Sequence, residues 1–219
     1  MKNKIKKGYL ISAGLFIAFV VWTVLISIVD VRAIGPNGSL VGFGGLNGWF
    51  HGLTGANISL YVITDWLGLV PFGVAFVFAV MGLSQWIKRK DLLKVDGSII
   101  ALGCFYIAVI AVYVFFEAVV INYRPILIGG ILEASYPSST TLLVLCVMPT
   151  AAMQLHARIR NRPLRRAVIV LIVGFCAFMV AGRLISGVHW VTDIIGGALL
   201  SAGLDLLYNA VCRTLADKK

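Results

Sequence analysis

GSIIALGCFYIAVIAVYVFF, residues 97–116, runs for twenty positions without an Asp, Glu, Lys or Arg. A helix of that length is about 30 Å long, which matches the hydrocarbon core of a bilayer, and it satisfies its own backbone hydrogen bonds where no water can. The stretch therefore reads as a membrane-spanning helix. Working outward, residues 8–29, 66–87 and 134–155 are equally free of charge. Two further apolar runs are interrupted: 167–182 ends at Arg183, and 188–211 is broken by His189, Asp193 and Asp205. Six spans in 219 residues, 60% of them hydrophobic and 13% charged, with a mean hydropathy of +0.96, exclude a soluble globular domain. The expected fold is an all-α integral membrane bundle of six transmembrane helices.

The net charge of +10 would point to nucleic acid in a soluble protein. Here the cations fall into four clusters that alternate with the spans: Lys2 to Lys7, Lys88 to Lys94, Arg158 to Arg166, and Arg213 with Lys218 and Lys219. Sixteen of nineteen lie on one side, leaving only Arg32, Arg124 and Arg183 toward the other. The positive-inside rule makes the crowded side cytoplasmic, with both termini inside. The clusters are then topology signals, and no nucleic-acid partner is expected.

No internal repeat or linker divides the chain, so residues 1–219 read as one membrane domain. The N-terminal apolar run is too long for the core of a signal peptide. Cys104, Cys146, Cys176 and Cys212 lie in or at the end of spans without Cys-x-x-Cys spacing, which indicates neither a disulfide framework nor a metal cage. The outer connection at 30–64 is rich in Gly, Asn and aromatics, including Gly44-Gly45-Leu46-Asn47-Gly48-Trp49-Phe50-His51. It reads either as a lid lying in the headgroup region or as a plain connecting loop.

Ionisable residues at membrane depth are costly and default to functional hypotheses. Arg124 and Arg183 carry permanent planar charges suited to phosphate oxygens, though each alone could be a headgroup anchor. His189 and Asp193, four apart, would share one face of a helix, so the carboxylate could orient the imidazole and leave its other nitrogen free. Such a pair could equally be structural. Ser138 and Ser139 either supply hydroxyls and helix N-terminal amides to an anion or serve as a cap.

Arg124-Pro125, Tyr136-Pro137-Ser138-Ser139 and Arg183-Leu-Ile-Ser-Gly-Val-His189-Trp-Val-Thr-Asp193 together resemble the type 2 phosphatidic acid phosphatase family, which includes lipid phosphate phosphatases and shares its site with vanadium haloperoxidases. That family is marked by Lys-x6-Arg-Pro, Pro-Ser-Gly-His and Ser-Arg-x5-His-x3-Asp, in this order. The similarity covers residues 117–197. It implies a nucleophilic role for His189 through a phosphohistidine, orientation by Asp193, and phosphate binding by Arg124, Arg183, Ser138 and Ser139. It also implies a lipid phosphate or diphosphate as substrate and chemistry without a metal or other cofactor.

Three positions depart from the pattern. Glu117 stands for the family's Lys, Ser139-Thr140 for Gly-His, and Gly182 for the Ser before Arg183. The absent histidine would protonate the leaving alcohol and activate water, a contribution of about 10²- to 10⁴-fold. Glu117, two turns before Arg124, is expected to pair with it if both are helical, or else to serve as a substitute acid. His51 is the other candidate donor, or merely a surface histidine. Expelling a phosphate monoester from a diphosphate needs an acid less than expelling an alkoxide, so loss of the acid favours a polyprenyl diphosphate. The leading expectation is a phosphohydrolase facing outward in a bacterial cytoplasmic membrane; the alternatives are a lipid-phosphate binding protein or a lipid phosphotransferase.

Overall fold

The computed structural model describes residues 2–217; Met1, Lys218 and Lys219 lie outside the described residues, and with them two of the cations counted after the last span. The elements are α1 (Lys2–Ile28), α2 (Gly44–Thr54), α3 (Ile58–Leu67), α4 (Val70–Arg89), α5 (Gly97–Ala118), α6 (Ser139–Arg158), α7 (Arg162–Ile185) and α8 (Val191–Asp217). Six stretches are long and apolar enough to cross a membrane, with Ile58–Arg89 counting as one. The chain is thus an all-helical, six-span membrane protein.

Helix ends follow local chemistry and shift several expected bounds. The second span begins two turns earlier than its apolar run, because the Asn57 side chain accepts from the Leu60 N–H at 2.9 Å and starts α3. A break at Gly68 and Leu69 separates α3 from α4, where Pro71 occupies the first turn and its missing N–H costs nothing. The fourth span starts only at Ser139, since Pro137 and the Ser138 cap precede it. Asn161 caps α7 in the same manner, accepting from Leu164 N–H at 3.0 Å.

The bundle is organised around α6 and α8. Helix α1 packs along α8, α6 lies between α7 and α8, and α5 leans on α8. Phe19, Leu102, Tyr136, Leu142, Leu200 and Leu204 form the shared core. Because lipid tails are as apolar as these side chains, close packing and interhelical hydrogen bonds hold such a bundle. One example is the buried Ser12 hydroxyl of α1, which donates to the Gly203 carbonyl of α8 at 2.7 Å. At one end, Asp96 meets Arg89 at 3.1 Å and Arg158 at 3.5 Å, tying α4, α5 and α6. The loops around 29–57, 119–138 and 186–190 gather at the other end.

In the region 30–64, α2 stands on the first turn of α8. The buried Asn47 side chain donates to Thr192 Oγ1 at 2.9 Å and accepts from Thr192 N–H at 3.4 Å. Leu46, Trp49 and Leu53 form an exposed apolar stripe on the outer face of α2.

Candidate active site

Four polar site residues come from one hairpin in the α5–α6 connection. Tyr123 pairs antiparallel with Ala134, Arg124 N–H donates to Glu133 C=O at 3.1 Å, and Ser135 N–H donates to Asn122 C=O at 2.9 Å. The turn closes through Gly129 and Gly130, both in the left-handed region at φ 58° and 81°. Side chains two apart on an extended segment share a face, so Asn122 and Arg124 stand opposite Glu133 and Ser135.

His189 belongs to the short α7–α8 turn, docked on the α2–α3 turn by Asn57 N–H donating to Ser186 C=O at 2.9 Å. Gly187 sits there at φ 65°, and a Cβ on it would fall 1.8 Å from the Gly55 carbonyl oxygen, so no other residue fits. Because α8 begins at Val191, His189 precedes the helix and does not share a helical face with Asp193. The two are joined through Ser135. Its Oγ lies 3.0 Å from His189 Nδ1 and donates to Asp193 Oδ2 at 2.6 Å. The carboxylate also accepts from Trp190 N–H at 3.0 Å and from Asn122 Nδ2 at 3.1 Å.

This chain sets the tautomer. A hydroxyl has one proton, and when it goes to the carboxylate, the oxygen accepts from Nδ1–H and Nε2 keeps its lone pair. Burial holds His189 well below its ordinary 6.5, and the charges of Arg124 and Arg183 push the same way. The imidazole is therefore neutral.

Arg183, only 1% exposed, donates to that unprotonated nitrogen, with Nη2 3.4 Å from His189 Nε2. Its Nη1 lies 3.5 Å from Thr64 Oγ1 and 3.6 Å from Asp65 Oδ1, and its guanidinium sits 5.1 Å over the Tyr61 ring. Gly182 permits this closeness of α3 and α7, since a Cβ there would lie 2.7 Å from Thr64 Cγ2. That gives a packing reason for glycine where the family carries serine.

Arg124 is also enclosed. Its Nε lies 3.0 Å from Glu133 Oε2, an ion-pair distance, yet the N–H is not aligned with the carboxylate. Arg124 Nε and Nη1 and Arg183 Nε are buried without hydrogen-bond partners. Enclosed guanidinium groups with unused donors are expensive, and an anion would satisfy them.

The other expected residues distribute unevenly. Ser138 is buried and works as the cap of α6: Oγ accepts from Thr141 N–H at 3.5 Å, and its own N–H donates to Asp193 C=O at 3.1 Å. Ser139 and Glu117 line a cavity of about 10 Å³ with Ser135 and Tyr136, room for roughly one water. Glu117 does not form the expected pair with Arg124. Helix α5 ends at Ala118, so Arg124 lies off that helix, and the hairpin supplies Glu133 in its place. Thr140 is half-buried in the first turn of α6. His51 stacks edge-on against Trp190 with ring centroids 5.5 Å apart; its Nδ1 is enclosed without a partner, and burial lowers its pKa.

Asn122, Glu133 and Ser135, together with Tyr61, Thr64 and Asp65, were not singled out by the sequence. Ser135 directly precedes the Tyr-Pro-Ser-Ser block and could have been read from that adjacency. The remaining residues depend on the hairpin register and on α3 meeting α7.

At one end of this polytopic membrane protein, a neutral buried histidine is therefore flanked by two enclosed arginines with unused donors. Residues 71–215 match the family model of the PAP2 superfamily, and the chain belongs to that superfamily, whose membership makes it a membrane enzyme of lipid phosphatase type. Its structure is similar to the crystal structure of a transmembrane PAP2 type phosphatidylglycerolphosphate phosphatase from Bacillus subtilis. The TM-score is 0.50 at 19% identity, over 94% of this chain and 96% of that one. At that identity the likeness is one of fold. No curated protein matches the chain by sequence.

Proposed function

We propose that this protein hydrolyses a lipid phosphate or diphosphate through a phosphohistidine on His189, at the extracytoplasmic face of a bacterial cytoplasmic membrane. The observation that carries this reading is the unprotonated Nε2 of a neutral His189, held by Arg183 Nη2 and accompanied by three unused arginine donors. A phosphoryl group accepting from Arg124 and Arg183 would have its charge neutralised where His189 can attack, and positioning with charge neutralisation is most of what phosphoryl transfer requires. Attack leaves a cationic ring, which Ser135 and Asp193 stabilise from the Nδ1 side. The outward orientation rests on the cations gathered away from the site.

With Thr140 in place of an acid histidine, a leaving group that departs without a proton is favoured. A polyprenyl diphosphate, which releases a phosphate monoester, meets that requirement better than a lipid monophosphate.

Phosphate release from a panel of lipid monophosphates and diphosphates tests this, with His189→Ala beside the wild type. Release from diphosphates that disappears in the variant supports the reading. Intact vanadate binding without any release, or lipid-to-lipid transfer in place of release, would replace hydrolysis by binding or phosphotransfer.

A further inference from the structure

Hydrolysis by way of His189 has a second step that the residues so far leave unserved. Whatever group departs first, water must take the phosphoryl group from the imidazole and give up a proton as it does so. The Thr140 hydroxyl is no proton acceptor near neutral pH. We propose that Glu133 is the base for this step, an assignment that rests on the phosphohistidine reading above.

Backbone pairing fixes its position. Arg124 N–H donates to Glu133 C=O, so the two side chains face each other across the hairpin. The carboxylate lies 3.0 Å from Arg124 Nε without occupying the N–H of Nε or Nη1. A phosphoryl oxygen accepting from those two donors would sit beside Glu133 Oε2. The Glu133 side chain is 38% exposed against 10% for Arg124, which puts it between the enclosed guanidinium and water.

Other candidates are less well placed. Glu117 opens onto the small cavity shared with Ser135, and Ser135 lies on the Nδ1 side of His189. Asp65 meets Arg183 at Nη1, the nitrogen that also faces Thr64. His51 packs on Trp190.

The step balances with residues of this chain and water alone. A water oxygen forms the new P–O bond while one of its protons passes to Glu133 Oε2. The P–N bond breaks and its electron pair returns to His189 Nε2. Orthophosphate leaves, and Glu133 returns the proton to bulk water.

The test is a rapid-quench experiment with a polyprenyl diphosphate labelled in its terminal phosphate, comparing wild type with Glu133→Gln. The variant should keep a burst of prenyl monophosphate equal to the enzyme present, bind vanadate, and hold the label as an acid-labile protein adduct. Its orthophosphate release should fall about 10²- to 10⁴-fold. Glu133→Asp, which keeps a carboxylate one methylene short, should recover part of that loss. Wild-type orthophosphate release by Glu133→Gln overturns the assignment. So does joint loss of burst and vanadate binding, because Glu133 would then be building the anion site. A wild type that neither takes the label nor releases phosphate defeats the hydrolase reading itself, and the Glu133 assignment with it.

Discussion

Asp193 reaches His189 through Ser135, whose Oγ lies 3.0 Å from the imidazole Nδ1 and 2.6 Å from the carboxylate. One hydroxyl thus decides which ring nitrogen carries the proton. Ser135→Ala removes the acceptor for Nδ1–H and a donor to Asp193 together. Turnover should fall about 10²-fold, the scale on which supporting partners of a functional histidine act, while vanadate affinity changes little. A vanadate titration beside steady-state kinetics checks both. Equal losses in binding and turnover would mean that the serine only holds the hairpin in place.

Asp193 accepts from Ser135, Asn122 and Trp190, three donors converging on one buried carboxylate. Asp193→Asn would set an amide N–H₂ against at least one of those donors. A buried mismatch of this kind costs about 1–3 kcal/mol, and the variant should show it as a lower unfolding temperature in detergent. Turnover should fall further than in Ser135→Ala, because the positive ring that the proposed phosphohistidine would carry then loses its counter-charge. Asn122→Ala removes one donor only and should lie between wild type and Asp193→Asn in both measurements.

The six spans were legible because the bilayer demands long uncharged runs, and the cations away from the four basic clusters were legible because so few exist. Arg124, Arg183, His189 and Asp193 all gather at one end, as those signals indicate. The connection between His189 and Asp193 was not legible. Four-residue spacing implies contact only inside a helix, and the glycine turn ahead of Val191 places His189 outside it. Glu117 fails for the same reason: its seven-residue spacing to Arg124 crosses the end of α5, and beyond that end the hairpin register chooses the partner. Glu133 and Ser135 sit in a segment with no periodicity, where pairing across Gly129 and Gly130 sets every neighbour.

Arg183 is held from three sides, by His189, by the Thr64 and Asp65 pair, and by the Tyr61 ring. Lysine keeps the charge but loses the planar fork and its stacking. Arg183→Lys should lower kcat/KM by about 10²-fold, with vanadate affinity falling in parallel, since under the proposed function the lost donors would serve the ground-state anion and the transition state alike. Tyr61→Leu removes only the stacked face, about 1 kcal/mol, and should cost roughly fivefold in the same assay. An Arg183→Lys variant with wild-type vanadate affinity would assign this arginine to packing.

Neutral His189 also makes the protein sensitive to acid in a definite direction. Its folded pKa lies below the ordinary 6.5, first through burial and then through Arg124 and Arg183. As pH falls, the unfolded chain therefore takes up the proton before the folded one does. The stability associated with the neutral ring is complete above 6.5 and is lost as pH drops from there toward the depressed folded value. His51, lowered by burial, acts with the same sign. The unfolding temperature should accordingly decline between about pH 7 and pH 5, and His189→Gln should flatten part of that decline. Nitrogen-15 NMR of the histidines at about pH 6 reads the cause directly: the His189 ring, assigned by its loss in His189→Gln, should remain neutral and protonated at Nδ1, where an ordinary histidine is largely cationic. A cationic His189 at that pH would remove the unprotonated nitrogen on which the proposed nucleophilic attack depends, and would leave the arginines facing a like charge in place of a base.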